Sequence, residues 1–568
     1  MNFLQDDGML ASTILRISIL AALIATCCQP GNAQVRLPHL FGDGMVVQSD
    51  KPIRVWGWAA PGEPVQVTFA KASSKGIADA QGNWVVELAA QAVSSVGRDL
   101  VITGKNSERQ IHDVLVGEVW VCGGQSNMEW TLRSSRDADV EVPSSNFPMI
   151  RYLRMPKVAR LEPQTDFPVA NSKSSEGNWQ RCVGDESANC TGVGYYFARR
   201  LHQRLKVPIG LIDTSWGGTM AQHWVTKETL KPIPEMRSYL EKFNGQLTAW
   251  RNNGGEAGAK QRFDADVAKW EALMEAHAKD PNNKARKPRR PNPNQYTNPA
   301  DKGQPGGMYN GVLAPISRFV IRGVLFYQGE NNSFAESWKP FPYTFPAVIS
   351  DWRRAFGDPN MPFGIIQIAG WSTRRSMHYD MNHHCNIVRE VQFKTWQSTP
   401  GTGLIVTFDT NSNGSIHPGR KLPVGERSAR WALAEVYGSK PYRGNGKLEW
   451  QGPIYESYAL DNGKIRISFR DGTARGLRLD QDVEIGFYVA GEDKVFHHAR
   501  ARVDGGKQQL IVWSDEVKTP VAVRYGWSNL PAGGLMNSRE LPAYPFRTDT
   551  WPMVPHQSKG AYEVKKLR

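Results

Sequence analysis

From Val114 to about Tyr437, apolar runs of strand length alternate with segments whose apolar residues recur at helical spacing. The runs Val114–Cys122, Ile209–Thr214, Val320–Tyr327, Phe363–Ala369 and Leu404–Phe408 are nearly continuous. That is the pattern of strands covered on both faces, not of strands with one wet side. Between and after them, Val193–Leu205, Phe345–Phe356, Ile387–Trp396 and Val424–Tyr437 read as helices. The alternation predicts an α/β domain over about 113–440, built on a doubly wound, mainly parallel sheet.

The pattern differs on either side. Residues 34–112 give short strands, Met45–Gln48, Ile53–Ala59, Val65–Ala70, Trp84–Leu88 and Leu100–Thr103. Turn residues such as Pro61-Gly62 and Gln81-Gly82-Asn83 punctuate them, which predicts a small β-sandwich. Strands return within 441–555 as Gly463–Arg470, Glu484–Ala490, Gln509–Trp513 and Pro520–Trp527, a second all-β module. The charged tail, 556–568, is expected to fray. Inside the α/β domain, about 233–307 interrupts the alternation. There Phe263, Val267, Trp270 and Met274 predict a helix that lays an apolar stripe on the body, followed by a Pro/Asn-rich loop.

At 568 residues the chain is too long for one core, in keeping with several domains. The net charge of +14 suits an acidic partner, but part of it is concentrated in one loop, at Lys284, Arg286, Lys287, Arg289 and Arg290. No repeated basic-aromatic pattern points to nucleic acid. Residues 1–33 resemble an export signal: Arg16, the apolar run Ile17–Ala25, then Gly31-Asn32-Ala33. The run is too short to span a bilayer, so a secreted or periplasmic protein is expected, cleaved after Ala33. Lipid attachment at Cys27 or Cys28 is the alternative. The four remaining cysteines are no disulfide framework, though Cys182 and Cys190 are close enough in sequence to staple one loop. His378, His383, His384 and Cys385 cluster, but in no familiar zinc spacing, and no metal is expected.

The chemistry gathers where apolar strands end. Val119–Cys122 breaks on Gly123-Gly124, and Gln125-Ser126-Asn127-Met128-Glu129-Trp130 follows. A hydroxyl there sits at the carboxyl edge of the sheet, where open α/β sheets place their sites. Ser215-Trp216-Gly217-Gly218-Thr219 closes the second strand, with glycines able to bring an amide close to a reacting carbonyl. Gln328-Gly329-Glu330-Asn331-Asn332 closes the third and offers amide side chains, which donate without a proton to lose. His417 lies on the loop after the last strand and supplies a base. Each motif alone is an ordinary turn. Together they fall in the order that a doubly wound sheet collects along one edge.

GQSNMEW at Gly124–Trp130, SWGGT at Ser215–Thr219, YQGENN at Tyr327–Asn332 and IHPGRKLPVGER at Ile416–Arg427 resemble the sialate O-acetylesterase family of SGNH-type hydrolases. LFGDGMVVQSDKPIRVWGWAAPGE at Leu40–Glu63 and PAYPFRTD at Pro542–Asp549 are similar to that family's flanking β-domains, so the resemblance spans nearly all of the chain after residue 33. It implies an SGNH-type fold and removal of acetyl groups from O-acetylated sugars, sialic acid or a plant or algal polysaccharide, without cofactor. The rival is a catalytically silent carbohydrate-binding protein.

The resemblance implies Ser126 as nucleophile and His417 as its base. It implies oxyanion donors from the Ser126 amide, from Gly217 or Gly218, and from the side chain of Gln328 or Asn332. Gln125, Asn127 and Glu330 are expected to contact substrate. One departure concerns the acid that orients the histidine. Related enzymes carry it two or three residues before the histidine, where this chain has Ser415 and Gly414. Asp409 is the nearest upstream acid and the expected partner of His417, unless a residue from elsewhere or a backbone carbonyl takes that place.

Overall fold

The computed structural model describes residues 34–168, 176–279, 287–292, 296, 298–299, 301–372, 381–444, 446–480, 486–531, 533–553 and 561–565. The export-signal segment with Cys27 and Cys28, as well as Lys284, Arg286 and His378, lies outside them.

A seven-strand path forms the centre of the molecule. In spatial order it runs Thr402–Ile405, Phe363–Ile366, Gly323–Tyr327, Glu108–Gly124, Ile209–Asp213, Asn146–Arg154 and Trp179–Val183. All neighbours are parallel except the last pair. The strand leading to Ser126 is therefore central. Its neighbours are the strands leading to Gly217 on one side and to Gln328 on the other. In chain order the sheet grows one way from Glu108–Gly124 and then the other, so Ser126 sits at the topological switch point. The fold is that of an SGNH-type hydrolase with all-β modules attached.

Both faces are covered. On one, Gly192–Leu205 and Leu422–Trp431 pack together, and Trp120 meets Phe197 and Trp431 edge-on at 5.0 and 6.0 Å. On the other, Phe341–Phe356 and His384–Ser398 pack together, and Phe326 meets Trp352 at 5.3 Å. Burying each such ring contributes about 1.5–3 kcal/mol. Phe341–Phe356 starts earlier than its apolar periodicity suggests, because Pro342 falls in the first turn, where its missing N–H costs nothing.

Three features differ from the sequence reading. Glu108–Gly124 crosses the position expected to separate two domains near residue 112. Its first half pairs with Ser94–Thr103 and its second half enters the central sheet. In the insertion, Gly255–Ala278 is a helix, but Phe263, Val267, Trp270 and Met274 stay half-exposed. Phe263 meets Tyr296 and Trp270 bonds Pro288 O, so the stripe faces its own loop instead of the body. The preceding helix, Arg237–Asn252, makes the inward contact, with Tyr239 and Leu240 packed against the main core. At the C-terminus, Phe496 exchanges backbone hydrogen bonds with Glu563 and Lys565, so the described part of the tail is paired, not frayed. Among the described residues no helix is long and apolar enough to cross a membrane.

Candidate active site

Gly123-Gly124 ends the central strand with a turn that no larger residue could make. Gly124 has φ +120°, and a β-carbon there would fall 2.1 Å from Tyr327 O. The turn is stitched to both neighbours: Gln125 N donates to Tyr327 O and Trp216 N to Gly124 O, each at 2.9 Å. Ser126 then opens a one-turn helix, Ser126–Glu129. First-turn amides have no partner within a helix, and the Ser126 N–H has none among the described residues.

His417 reaches this serine from the loop beyond Thr402–Ile405, three strands along the sheet. Its Nε2 lies 2.8 Å from Ser126 Oγ, a hydrogen bond in which the hydroxyl donates to the neutral ring. The Trp130 indole stacks on the ring at 5.2 Å, and Ser415 Oγ accepts from the His417 N–H at 3.0 Å. Burial and the nearby Lys421 hold the His417 pKa below its ordinary 6.5, while Glu129 opposes them.

Asp409 does not orient this ring. Its carboxylate is held bidentately by Arg427 at 2.7 and 2.6 Å, and it makes no hydrogen bond to His417 among the described residues. The helix Leu422–Trp431 presents Arg427 to the strand end, where Arg427 also bonds Val406 O. A guanidinium fork is a stronger partner for a carboxylate than a neutral imidazole N–H. Asp409→Asn is accordingly expected to lower kcat about tenfold or less, far short of the loss of about 10⁴-fold that follows removal of a triad aspartate. Steady-state kinetics on the folded variant check this.

Gly217 packs against Ser126. A β-carbon there would lie 3.1 Å from Ser126 Cβ and 3.0 Å from Glu129 Oε2. Its N–H donates to that same Glu129 oxygen at 2.6 Å. Glu129 is further tied to Lys157 and lies 3.8 Å from Arg154. Gly218 is exposed beside Gly217, and its carbonyl accepts from Asn331 Nδ2 at 3.0 Å.

The side-chain amides expected at the oxyanion are committed elsewhere. Gln328 is fully buried, and its Nε2 donates to Gln125 Oε1 at 2.7 Å and Thr219 O at 2.8 Å. Asn332 is equally buried and donates to Gln222 Oε1 and Ser337 O. The three expected substrate contacts are scaffold as well. Gln125 Oε1 gathers Gln328 Nε2, Gly329 N and Asn331 N. Asn127 donates from Nδ2 to Glu330 Oε1 at 2.5 Å and to Ile416 O at 3.0 Å, and its Oδ1 accepts from Lys421 Nζ at 2.6 Å. Burial pushes the Glu330 carboxyl up and the Lys421 ammonium down. Lys421 also lies over the Trp130 and Tyr327 rings.

The partly exposed side chains around Ser126 are therefore Glu129, Trp130, Trp216 and Asn331, none of which was singled out as a contact from sequence. Glu129 and Trp130 had a legible signal: at three and four residues after the serine, a helical turn brings them back beside it.

The cysteine and histidine clusters stay apart from this chemistry. Cys182 and Cys190 are buried free thiols lying against each other. His383 caps the helix His384–Ser398 by accepting from Cys385 N, and Cys385 bonds Ser333 Oγ. No group of three potential metal ligands occurs among the described residues. Esterase activity is expected to survive exhaustive chelation, measured as the rate before and after EDTA. A loss restored by zinc would redirect attention to His383, His384 and Cys385.

Comparison with known proteins gives the family. The sequence profile of the family described as carbohydrate esterase, sialic acid-specific acetylesterase matches residues 116–280 and 301–424. The chain is 25% identical to mouse sialate O-acetylesterase over 93% of its own length and 97% of the relative's. It is 23% identical to the human enzyme over 94% and 96%. A carbohydrate acetylesterase from Xanthomonas citri, solved by crystallography, is 31% identical and superposes with a TM-score of 0.72. That match covers 91% of this chain and all of the other.

Proposed function

The chain belongs to the sialic acid-specific acetylesterase family of carbohydrate esterases and is a carboxylic ester hydrolase, and from that premise we propose that it is an exported serine esterase that deacetylates sugars through an acetyl-serine intermediate. The observation that carries the reading is the 2.8 Å contact between Ser126 Oγ and His417 Nε2 at the switch point of the sheet, with the Gly217 amide beside it.

In this mechanism Ser126 Oγ attacks the acetyl carbonyl while His417 Nε2 takes its proton. The oxyanion is met by the Ser126 N–H and by the Gly217 N–H, once Glu129 Oε2 gives up the latter. Collapse passes the His417 proton to the sugar oxygen and leaves acetyl-Ser126. Water, deprotonated by His417, then frees acetate. With Asp409 held by Arg427, Ser126 and His417 act as a dyad. Export rests on residues 1–33 and is tested by locating the mature N-terminus in secreted material.

The substrate proposed is an O-acetylated sugar, with sialic acid favoured by the family and plant or algal polysaccharide as the alternative. Acetate release from O-acetylated sialic acid and from acetylated xylan separates these two. Mass spectrometry of protein quenched during turnover tests the intermediate: an added acetyl group is expected on Ser126. Rapid turnover with no acetyl adduct on Ser126 at any quench time, combined with an active Ser126→Ala variant, would overturn the mechanism.

The pH dependence follows from the charges around the base. Only neutral His417 accepts the Ser126 proton, so kcat/KM rises with pH through the His417 pKa and levels off above it. Because that pKa is held below 6.5, the enzyme is expected at its plateau at neutral pH. Glu129 raises the His417 pKa, so Glu129→Gln should move the acid limb to still lower pH. A limb that stays put or moves upward in the kcat/KM profile would refute this placement of charge.

A further inference from the structure

Behind the catalytic sheet, between the helix His384–Ser398 and the C-terminal β module, lies a cavity of about 140 Å³. Arg389, Gln367 and Trp527 all line it. Arg389 is 2% exposed. Its Nη2 donates to Asn386 Oδ1 at 2.7 Å and to Ser528 O, but its Nε and Nη1 have no hydrogen-bond partner. Gln367 Oε1 and Trp527 Nε1 are likewise buried and unpartnered. Polar groups left unpaired out of water are rare in folded proteins, and a buried charge without a counterion is rarer.

No carboxylate lies within ion-pair distance of Arg389 among the described residues. Glu390, the one acid lining the cavity, is taken by Arg547 at 3.0 Å and Lys394 at 3.1 Å. Those two cations line the cavity as well. Burial raises the Cys385 thiol, but His383, Arg389 and Ser333 outweigh it and hold its pKa below the ordinary 9.0; its Sγ bonds Ser333 Oγ and makes no hydrogen bond to Arg389 among the described residues. The wall thus carries three cations against one carboxylate.

We propose that this cavity is a binding site for a small monovalent anion, a halide or a short carboxylate, held by Arg389 with the Trp527 N–H. A water molecule would satisfy Gln367 and Trp527 yet leave the guanidinium uncompensated. The anion would also brace the helix on which the catalytic turn leans, since Gln392 of that helix donates to Gln328 O at 2.9 Å and accepts from Ile368 N at 3.1 Å.

The test uses the full-length protein. Its melting temperature is followed as chloride, bromide or acetate is titrated in, with Arg389→Gln as the control for general salt effects. A ligand that binds only the folded state raises Tm saturably, here by about 2 °C or more at saturation. That rise is expected in the wild type and absent in Arg389→Gln. A rise with acetate alone assigns a carboxylate, and a rise with both halides assigns a halide. Crystals of the wild-type protein grown in bromide and in acetate give a second reading that does not depend on the folding of Arg389→Gln. An anomalous bromide peak or acetate density against Arg389 supports the proposal. Water alone at that position in both crystals, or identical salt responses in wild type and folded Arg389→Gln, overturns it.

Discussion

Ser126→Ala is expected to lower kcat by about 10⁴-fold or more while leaving the fold and its melting temperature close to those of the parent. The oxygen removed is the one that His417 Nε2 contacts at 2.8 Å, and no neighbouring hydroxyl stands in for it. Ser215, the nearest serine in the adjacent turn, is buried and spends its Oγ on Asp213 at 2.5 Å. The fold should tolerate the change because the turn is held by backbone, through Gln125 N on Tyr327 O and Trp216 N on Gly124 O. What survives is catalysis by the oxyanion amides and by positioning alone, which in serine hydrolases still exceeds the uncatalysed rate. Circular dichroism and a thermal melt establish folding, and acetate release measures the loss. A folded variant with near-parental turnover would remove Ser126 from the mechanism.

The sheet was legible because burial on both faces writes itself as unbroken apolar runs. Val119–Cys122 and Ile209–Asp213 stand in the structure where the pattern put them. The order of the motifs along the chain also told which loops meet, since a doubly wound sheet leaves one carboxyl edge to gather them. What the sequence could not tell was which way each polar side chain turns. Gln328 and Asn332 have the right chemistry for an oxyanion donor, yet both point inward, because three adjoining strand-end turns need internal hydrogen bonds to stay together. Asp409 failed as the orienting acid for a related reason. Its guanidinium partner, Arg427, lies 18 residues on and across a helix start, a pairing that local spacing does not reveal. Glu129 is a third case, because nothing in the local sequence shows that its carboxylate holds the Gly217 amide, 88 residues on.

The substitution that should separate positioning from chemistry is Asn127→Ala. Asn127 follows Ser126 directly, and its side chain ties three motifs together: Glu330 Oε1 at 2.5 Å, Ile416 O at 3.0 Å and Lys421 Nζ at 2.6 Å. Ile416 is the residue before His417, so this one amide fixes the serine helix to the histidine loop. Its loss frees that loop. A displacement of about 1 Å at a reacting pair costs about 10²-fold, so kcat should fall by about that factor with KM little changed. The same change strands a buried carboxyl and a buried amine. Glu330 Oε2 already lacks a partner, and Asn127→Ala would take the hydrogen bond from Oε1 as well. Stability should drop by about 1–3 kcal/mol, the cost of unsatisfied buried polar groups. The double variant Asn127→Ala/Glu330→Gln distinguishes the two effects. Replacing the stranded carboxyl by an amide should recover part of the melting temperature, because a neutral amide costs less to bury than a carboxylate, and only the Lys421 amine is then left stranded. It should not recover kcat, because nothing again joins Ser126 to the backbone at Ile416. Recovery of both together would mean that Asn127 supports the fold alone, and an unchanged kcat in the single variant would mean that the His417 loop holds its place without it.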